Sequence, residues 1–380
     1  MLKIFAKYSM EKKSEIKMIR LILMFSVLLV PTVTSADQPS LISEPLGAPF
    51  HVRDYTFPGF LLLGFSSEPS APLGVGHSAY GIHYTVVNDY QLSPAIANYL
   101  VKTHADGRRQ LDSADINFIL SQPAGQSYYI DGEVSMLEFT SNWGLTNRLD
   151  FGVSINLIAY GGGFLDSAIY DFHEAFGIGQ HSRDRVPNED FMVVLGLQPN
   201  NPLVMLNPPT SGGFGDPSFF LRYAFPNDYK SWKFNLSAGI KAPLADENVF
   251  LSTGSWDAGF QLIADKRFQR DAYIINVGTI FPGDIRVRNF DLPSLSFMNL
   301  NWLHSFEGEN HKKFFLQFIL AEHPFHRVID TELSDLEFQI TTGLKWNTSV
   351  GVIGIGLTEN LLNFNNTPDI GFHFTWGILK

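Results

Sequence analysis

Residues 142–157 read NWGLTNRLDFGVSINL, and the stretch decides the fold. A polar knot, Thr146-Asn147-Arg148, is followed by alternation from Leu149 onward. Phe151, Val153, Ile155 and Leu157 share one face with Ala159, and Gly152, Ser154 and Asn156 share the other. Side chains in a strand point to opposite faces with a period of two, so this is a turn followed by a strand with one apolar side.

The pattern recurs outward in both directions. Tyr80, Ile82, Tyr84 and Val86 oppose Gly81, His83 and Thr85. Phe234, Leu236, Ala238 and Ile240 oppose Asn235, Ser237 and Gly239. Phe338, Ile340, Thr342 and Leu344 oppose Gln339, Thr341 and Gly343, and Phe372, Phe374 and Trp376 oppose Gly371, His373 and Thr375. Each run is about ten residues, the length a tilted strand needs to cross a bilayer. A soluble sandwich would bury its apolar faces together and use strands nearer five or six residues. Here the polar faces are built from Gly, Ser, Thr and Asn with few charges, which suits an enclosed lumen. The predicted fold class is therefore all-β: a transmembrane antiparallel up-and-down barrel.

Turn lengths set the topology. Short links at 143–149, 226–231, 268–271, 306–312 and 347–349 alternate with long ones at 90–128, 160–214, 242–255, 282–294, 324–334 and 358–368. Short turns face the periplasm and long loops face outward in such barrels. This gives twelve strands, with fourteen as the alternative if residues 190–206 add two; they lack a polar face and read as a hairpin above the membrane. Trp143, Trp232, Trp302, Trp346 and Trp376 fall near periplasmic strand ends and form an expected aromatic girdle, while Trp256 falls at the outer end.

The chain of 380 residues opens with Lys12, Lys13, Lys17 and Arg20, an apolar run from Leu21 to Val30, and small residues up to Ala36. That order is a secretory signal over 1–36, for which Met18 would serve as a start as well as Met1; its apolar run of about ten residues is too short to span a bilayer. Residues 37–75 read as a periplasmic tail, an inward plug or a surface strap, and 76–380 as the barrel. A net charge of −11 argues against nucleic-acid binding. Zero cysteine excludes disulfides, thiolate metal sites and cysteine nucleophiles.

Within the long 160–190 loop, Leu165, Ile169, Phe172 and Phe176 recur at helical spacing between Gly161–Gly163 and Gly177. With His173 they are the expected outer-loop gate, on one short helix covering the barrel mouth or the loop hairpin. The cluster His173, Glu174, His181 and Asp184 lacks metal-ligand spacing, and no Gly-x-Ser-x-Gly elbow occurs, so no catalytic residue, metal or cofactor is expected. The predicted lumen face carries Glu138, Asp257, Asp265 and Glu337 against Arg222, Lys233, Lys241 and Lys345, a balanced set that points to internal ion pairs. His83 and His373 share this face, on the first and last strands.

GGGFLDSAIYDFHEAFGIGQHSRDRVPNEDF (161–191) resembles the signature loop of a proteobacterial outer-membrane β-barrel family of unknown function. NWGLTNRLDFGVSI, GGFGDPSFFLRY (212–223) and TGSWDAGFQLIADKRF (253–268) are similar to strand openings of the same broad class. The resemblance spans from about Pro58 to the end; it implies the fold and the outer membrane of a Gram-negative bacterium, and carries no activity. Asp369, Gly371, Phe374 and Trp376 resemble the barrel-assembly recognition pattern, though the usual terminal aromatic is absent. The expected partners are outer-membrane lipid, the assembly machinery and small solutes. The expected role is a porin-like channel gated by the 160–190 loop; the alternatives are a non-conducting binding or structural barrel and a lipid-modifying enzyme.

Overall fold

A computed structural model describes residues 48–177, 179–180, 182–198, 200–226, 229–306, 312–328, 332–360 and 366–380. The expected signal segment lies outside these residues, as do the side chains of Phe172 and Phe176. Among the described residues, fifteen strands form one sheet. Twelve of them close a ring: β1 (Ser78–Leu92), β2 (Tyr128–Gly144), β3 (Leu149–Gly161), β7 (Ser218–Ala224), β8 (Lys233–Lys241), β9 (Asp257–Arg267), β10 (Asp271–Phe281), β11 (Leu295–Ser305), β12 (Lys312–Glu322), β13 (Leu336–Thr348), β14 (Gly351–Asn360) and β15 (Ile370–Leu379). Every neighbouring pair is antiparallel, and β1 closes on β15 in a register running from Ala79 opposite Leu379 to Asn88 opposite Ile370. Closure leaves no unpaired edge in the ring, which is the condition for backbone to sit in hydrocarbon.

Alternation fixes which side faces what. Along β8, Asn235, Ser237, Gly239 and Lys241 are buried, whereas Leu236, Ala238 and Ile240 are exposed. The same division holds around the ring: Phe139, Ile155, Phe260, Val277, Leu344, Ile355 and Phe374 all point outward and are 39–50% exposed. A continuous apolar belt of this kind in water would far exceed the few hundred Å² that soluble monomers tolerate. The belt is the lipid-facing surface of an outer-membrane barrel. Trp143, Trp302, Trp346 and Trp376 are on this outward face at strand ends next to short turns. The Trp302 indole donates to Asp271 and that of Trp376 to the Val350 carbonyl.

The short strands build above the ring. β4 (Met192–Leu195) pairs with the first four residues of β2, directly above the lane that β3 occupies lower down. β5 (Leu203–Met205) pairs with β4, so residues 192–205 form the hairpin above the membrane and add no spanning strands. β6 (Gly213–Phe214) makes two pairs with β3 before the chain breaks at Gly215-Asp216-Pro217 to start β7.

Among the described residues, three α-helices occupy the outer loops. α1 (Pro94–Thr103) and α2 (Ser113–Ser121) lie between β1 and β2, and α3 (Asp166–Phe176) follows β3. Sequence periodicity singled out only α3. The other two carry strong start signals: Ser93 caps α1 ahead of a proline at its first position, and Asp112 with Asp115 forms a capping box on α2. Ile96, Leu100 and Ile119 of these helices pack on Tyr90, Leu92 and Tyr129, the outward side of the extended β1–β2 ribbon. Above the bilayer, where lipid no longer covers that face, the helices do.

Candidate functional site

The lumen is occupied by the chain itself. From Ala48 the chain rises along the β12–β13 side and then the β1–β2 side, turns at Gly59–Leu61, and descends past β8–β10 and β3–β7 to start β1. The rising limb is fixed first at its foot. The Lys345 ammonium donates to the carbonyls of Ala48 and Pro49 at 2.9 and 2.7 Å. Gln317 accepts from the Phe50 amide at 2.8 Å and donates back to its carbonyl at 3.3 Å. The Phe50 ring meets Phe315 edge-on at 5.0 Å. Its floor is Gly343, Gly354 and Gly356, where an added Cβ would come within 2.7–3.3 Å of the ring. Higher up, His51 bonds Glu138 at 2.8 Å and stacks on His83 at 4.2 Å, and the Phe57 amide donates to Asp89 at 2.9 Å.

The falling limb is held by side chains of the opposite wall. Lys241 donates to the Leu61 carbonyl at 2.8 Å, and Asp257 accepts from the Leu63 amide at 2.8 Å. Arg222 reaches Glu68 at 3.0 Å, and Asp150 accepts from the Leu73 amide. Arg53 ties the limbs together by donating to the carbonyls of Phe60 and Leu62. Phe50, Val52, Tyr55, Phe57, Phe60, Leu61, Leu62, Leu63 and Phe65 are each at most 4% exposed. At about 1.5–3 kcal/mol per buried side chain, their gross hydrophobic contribution is of order 10–25 kcal/mol.

Among the described residues, two chambers flank the falling limb of this hairpin. The lower has a volume of about 120 Å³ and is lined by residues at the short-turn end, among them Ala79, Gly81, Asn142, Arg222, Val352 and Gly377. The upper, of about 40 Å³, lies between the hairpin and β10–β12 and reaches Glu322 at the outer strand ends. Both are lined by Gly64 and Phe65. The Phe65 ring stacks near Phe297 at 5.8 Å and meets Phe220 edge-on at 5.6 Å. Gly239 and Gly259 lie beneath it, and an added Cβ there would approach the ring to 3.1 and 2.8 Å. Gly64 and Phe65 are where the two chambers meet.

All ten of the lumen positions expected from sequence lie on inward-phase strand positions. Their pairing differs from a set of mutual ion pairs. Lys241 and Asp257 do pair, at 3.1 Å. Arg222 takes Asp150 at 2.8 Å and Glu68. Asp265 takes Arg267 at 2.9 Å, although Lys233 stands opposite it in register. Glu138, Glu337 and Lys345 turn to the hairpin at His51, Thr56 and the Ala48–Pro49 carbonyls. His83 and His373 are diagonal neighbours across the closing seam, each joined to the adjacent strand by a threonine: His83 to Thr375 at 2.8 Å and His373 to Thr85 at 3.0 Å. Sequence reading left the role of residues 37–75 open; the cue it held was the apolar run Phe60–Phe65 facing strands whose inner positions are glycine.

The expected outer-loop gate is corrected. Leu165 and Ile169 pack on Val86 and Ile370, with Leu357 alongside. Val86, Ile370 and Leu357 are outward residues, since Val87 and Gly371 are the ones that face the lumen. α3 therefore seats on the outside of the wall at the β1–β15 seam and does not cross the opening. His173, on the same helix, is buried. Arg183 locks the arrangement, bonding Asp166 at 2.6 Å, Asp369 at 2.7 Å and Asn88 at 2.8 Å, and lying 4.3 Å over the Tyr90 ring.

A family model described as "Protein of unknown function (DUF3187)" matches residues 76–378. No curated protein matches the chain. Among solved structures, the COG4313 outer membrane channel from Pseudomonas putida F1 is similar at 11% identity with a TM-score of 0.47, over 82% of this chain and 98% of that one. The Pseudomonas putida toluene transporter TodX is similar at 9% identity with a TM-score of 0.37, over 87% and 98%. Salmonella typhi OmpF in complex with daunomycin is similar at 8% identity with a TM-score of 0.30, over 80% and 97%.

Proposed function

The chain belongs to the DUF3187 family, and for this outer-membrane barrel we propose a role as a channel for small solutes in which the hairpin of residues 48–73 is the resident barrier. The observation that carries the reading is the pair of chambers that meet at Gly64 and Phe65. Magnitudes place the moving part. Withdrawing the whole hairpin would expose nine apolar side chains, a change of order 10 kcal/mol or more. Swinging one phenyl ring off its glycine floor forfeits a few kcal/mol at most. Passage therefore proceeds by local movement around Gly64–Phe65, with the remainder of the hairpin seated. In this reading the export signal of residues 1–36 is removed, and the assembly machinery inserts the barrel by its final strand.

The test is reconstitution of the full chain in liposomes and planar bilayers, comparing the native protein with Phe65→Ala. Swelling or conductance should rise several-fold in the variant. No passage of ions or neutral solutes by either form would replace the channel with a non-conducting binding or structural barrel.

A further inference from the structure

The proposal here rests on the channel reading and names its solute. The upper chamber is walled by Leu62 and Leu63 of the hairpin and by Ile280, Leu295, Phe297 and Ile319 of the barrel. Its charged lining residues are bonded within the protein, Arg53 to the Phe60 and Leu62 carbonyls, Asp54 to Thr56 and Glu322 to the Ser296 amide, whereas the Asn299 side chain, 2% exposed, has an Oδ1 with no hydrogen-bond partner. The charges of the lower chamber are already met: Arg222 by Asp150 and Glu68, His51 by Glu138, and Lys345 by two hairpin carbonyls. An ion on this route would shed its hydration and meet charged groups already bonded within the protein. An apolar body loses nothing by the same move. When the Phe65 ring swings, the space it vacates is flanked by the Phe220 and Phe297 rings and floored by the backbone of Gly239 and Gly259, a slot shaped for another flat ring. The lower chamber, at about 120 Å³, is near the roughly 150 Å³ of an apolar cavity that holds benzene.

We propose that the channel takes small uncharged solutes with an apolar, ring-sized body, and that Phe65 is the residue that sets this specificity by occupying the place of the solute ring. Asn299 offers such a solute one acceptor, which suits a hydroxyl on the body. The class follows from a wall whose charged groups are bonded within the protein, as much as from the rings and the amide it presents.

The test is binding to the full chain in lipid nanodiscs, with benzyl alcohol, benzoate and benzylamine as matched probes, each measured by equilibrium dialysis. Phe65→Ala joins the chambers and should raise benzyl alcohol affinity at least tenfold while leaving the two ions unchanged. Adding Ala321→Trp, which refills the upper chamber, should cancel the gain. Phe65→Leu serves as the second variant if the alanine form does not show the heat-dependent gel migration of a folded barrel; a smaller gain of the same sign is expected. Ions that gain as much as the alcohol, or a gain that survives Ala321→Trp, overturn the proposal. Passage is measured on the same preparations: passage without preference for the alcohol removes the specificity and keeps the channel, whereas a selective site with no passage in any form removes the channel, and with it the claim that this site is a transport station.

Discussion

Lys241 and Asp257 lie 3.1 Å apart inside the barrel, and between them they clasp the hairpin on either side of Leu62. Lys241 also meets Asp216 at 3.3 Å and Thr253 at 2.9 Å, and Asp257 accepts from the Gly283 amide. The pair is 2% exposed at both residues, so neither charge has water to fall back on. Removing Lys241 leaves both Asp257 and Asp216 buried without their cation, a change of about 3–5 kcal/mol. Lys241→Ala should lower the midpoint of heat-induced barrel unfolding on a gel and open residues 60–66 to protease. Replacing Lys241, Asp257 and Asp216 together by Met, Leu and Asn removes the stranded charge and should be far milder, and equal loss in the single and the triple variant would refute this account.

Arg183 gives a test of what α3 does. Burial alone would lower its pKa, but Asp369, Asp131 and Asp166 outweigh that and hold the guanidinium charged. Arg183→Ala strands two buried carboxylates and should free the helix, seen as protease cleavage within 164–180. Because α3 lies on the outside of the wall, solute passage should stay within twofold of the native protein. A large rise in passage would restore the helix as a gate.

These two cases show what the sequence carries and what it does not. Alternation along β8 and β13 puts Lys241 and Glu337 on the buried side of their strands, because a period of two is a property of one strand. Strand count was legible for the same reason, since each turn length is local. The partners were not legible. Glu138 bonds His51, 87 positions away by number, and that contact exists only because the hairpin folds back into the ring. The side of the wall on which Leu165 and Ile169 land was hidden too, since a helical stripe shows that a face is covered and says nothing of what covers it.

His323 supplies a pH dependence outside the spanning strands. It sits just past β12 with no solvent exposure, its Nδ1 accepting from the Phe325 amide at 3.1 Å. Burial, and then the charge of His326, lowers its pKa to about 3. In the unfolded chain it titrates near 6.5, so the unfolded state binds the extra proton between those values. Stability is therefore full above pH 6.5 and is lost as pH falls toward 3, by about 3 kcal/mol at pH 4. The unfolding midpoint of the native protein should drop between pH 7 and pH 4 by more than that of His323→Gln. Equal drops would mean that the imidazole is solvated in the folded protein.

Phe50 and Gly356 test whether glycines on the inner wall exist to seat the hairpin. An added Cβ at Gly356 would lie 3.3 Å from the Phe50 ring and 3.3 Å from the Thr342 carbonyl, so alanine fits with slight movement and leucine does not. Gly356→Leu should push Phe50 off its floor, and with it the Gln317 and Lys345 bonds that fix the foot of the rising limb. The ring itself should survive, because the β13–β14 ladder needs only backbone at that position. Phe50→Ala alone leaves a cavity against Phe315 and should cost about 3 kcal/mol. In the double variant the leucine side chain fills the space the phenyl ring leaves, so the two losses should fall short of their sum by about 1–3 kcal/mol. Protease cleavage between 48 and 57 should be fast in Gly356→Leu and slower once Phe50→Ala is added. Strict additivity of the two substitutions would show that the glycine serves the strand rather than the hairpin.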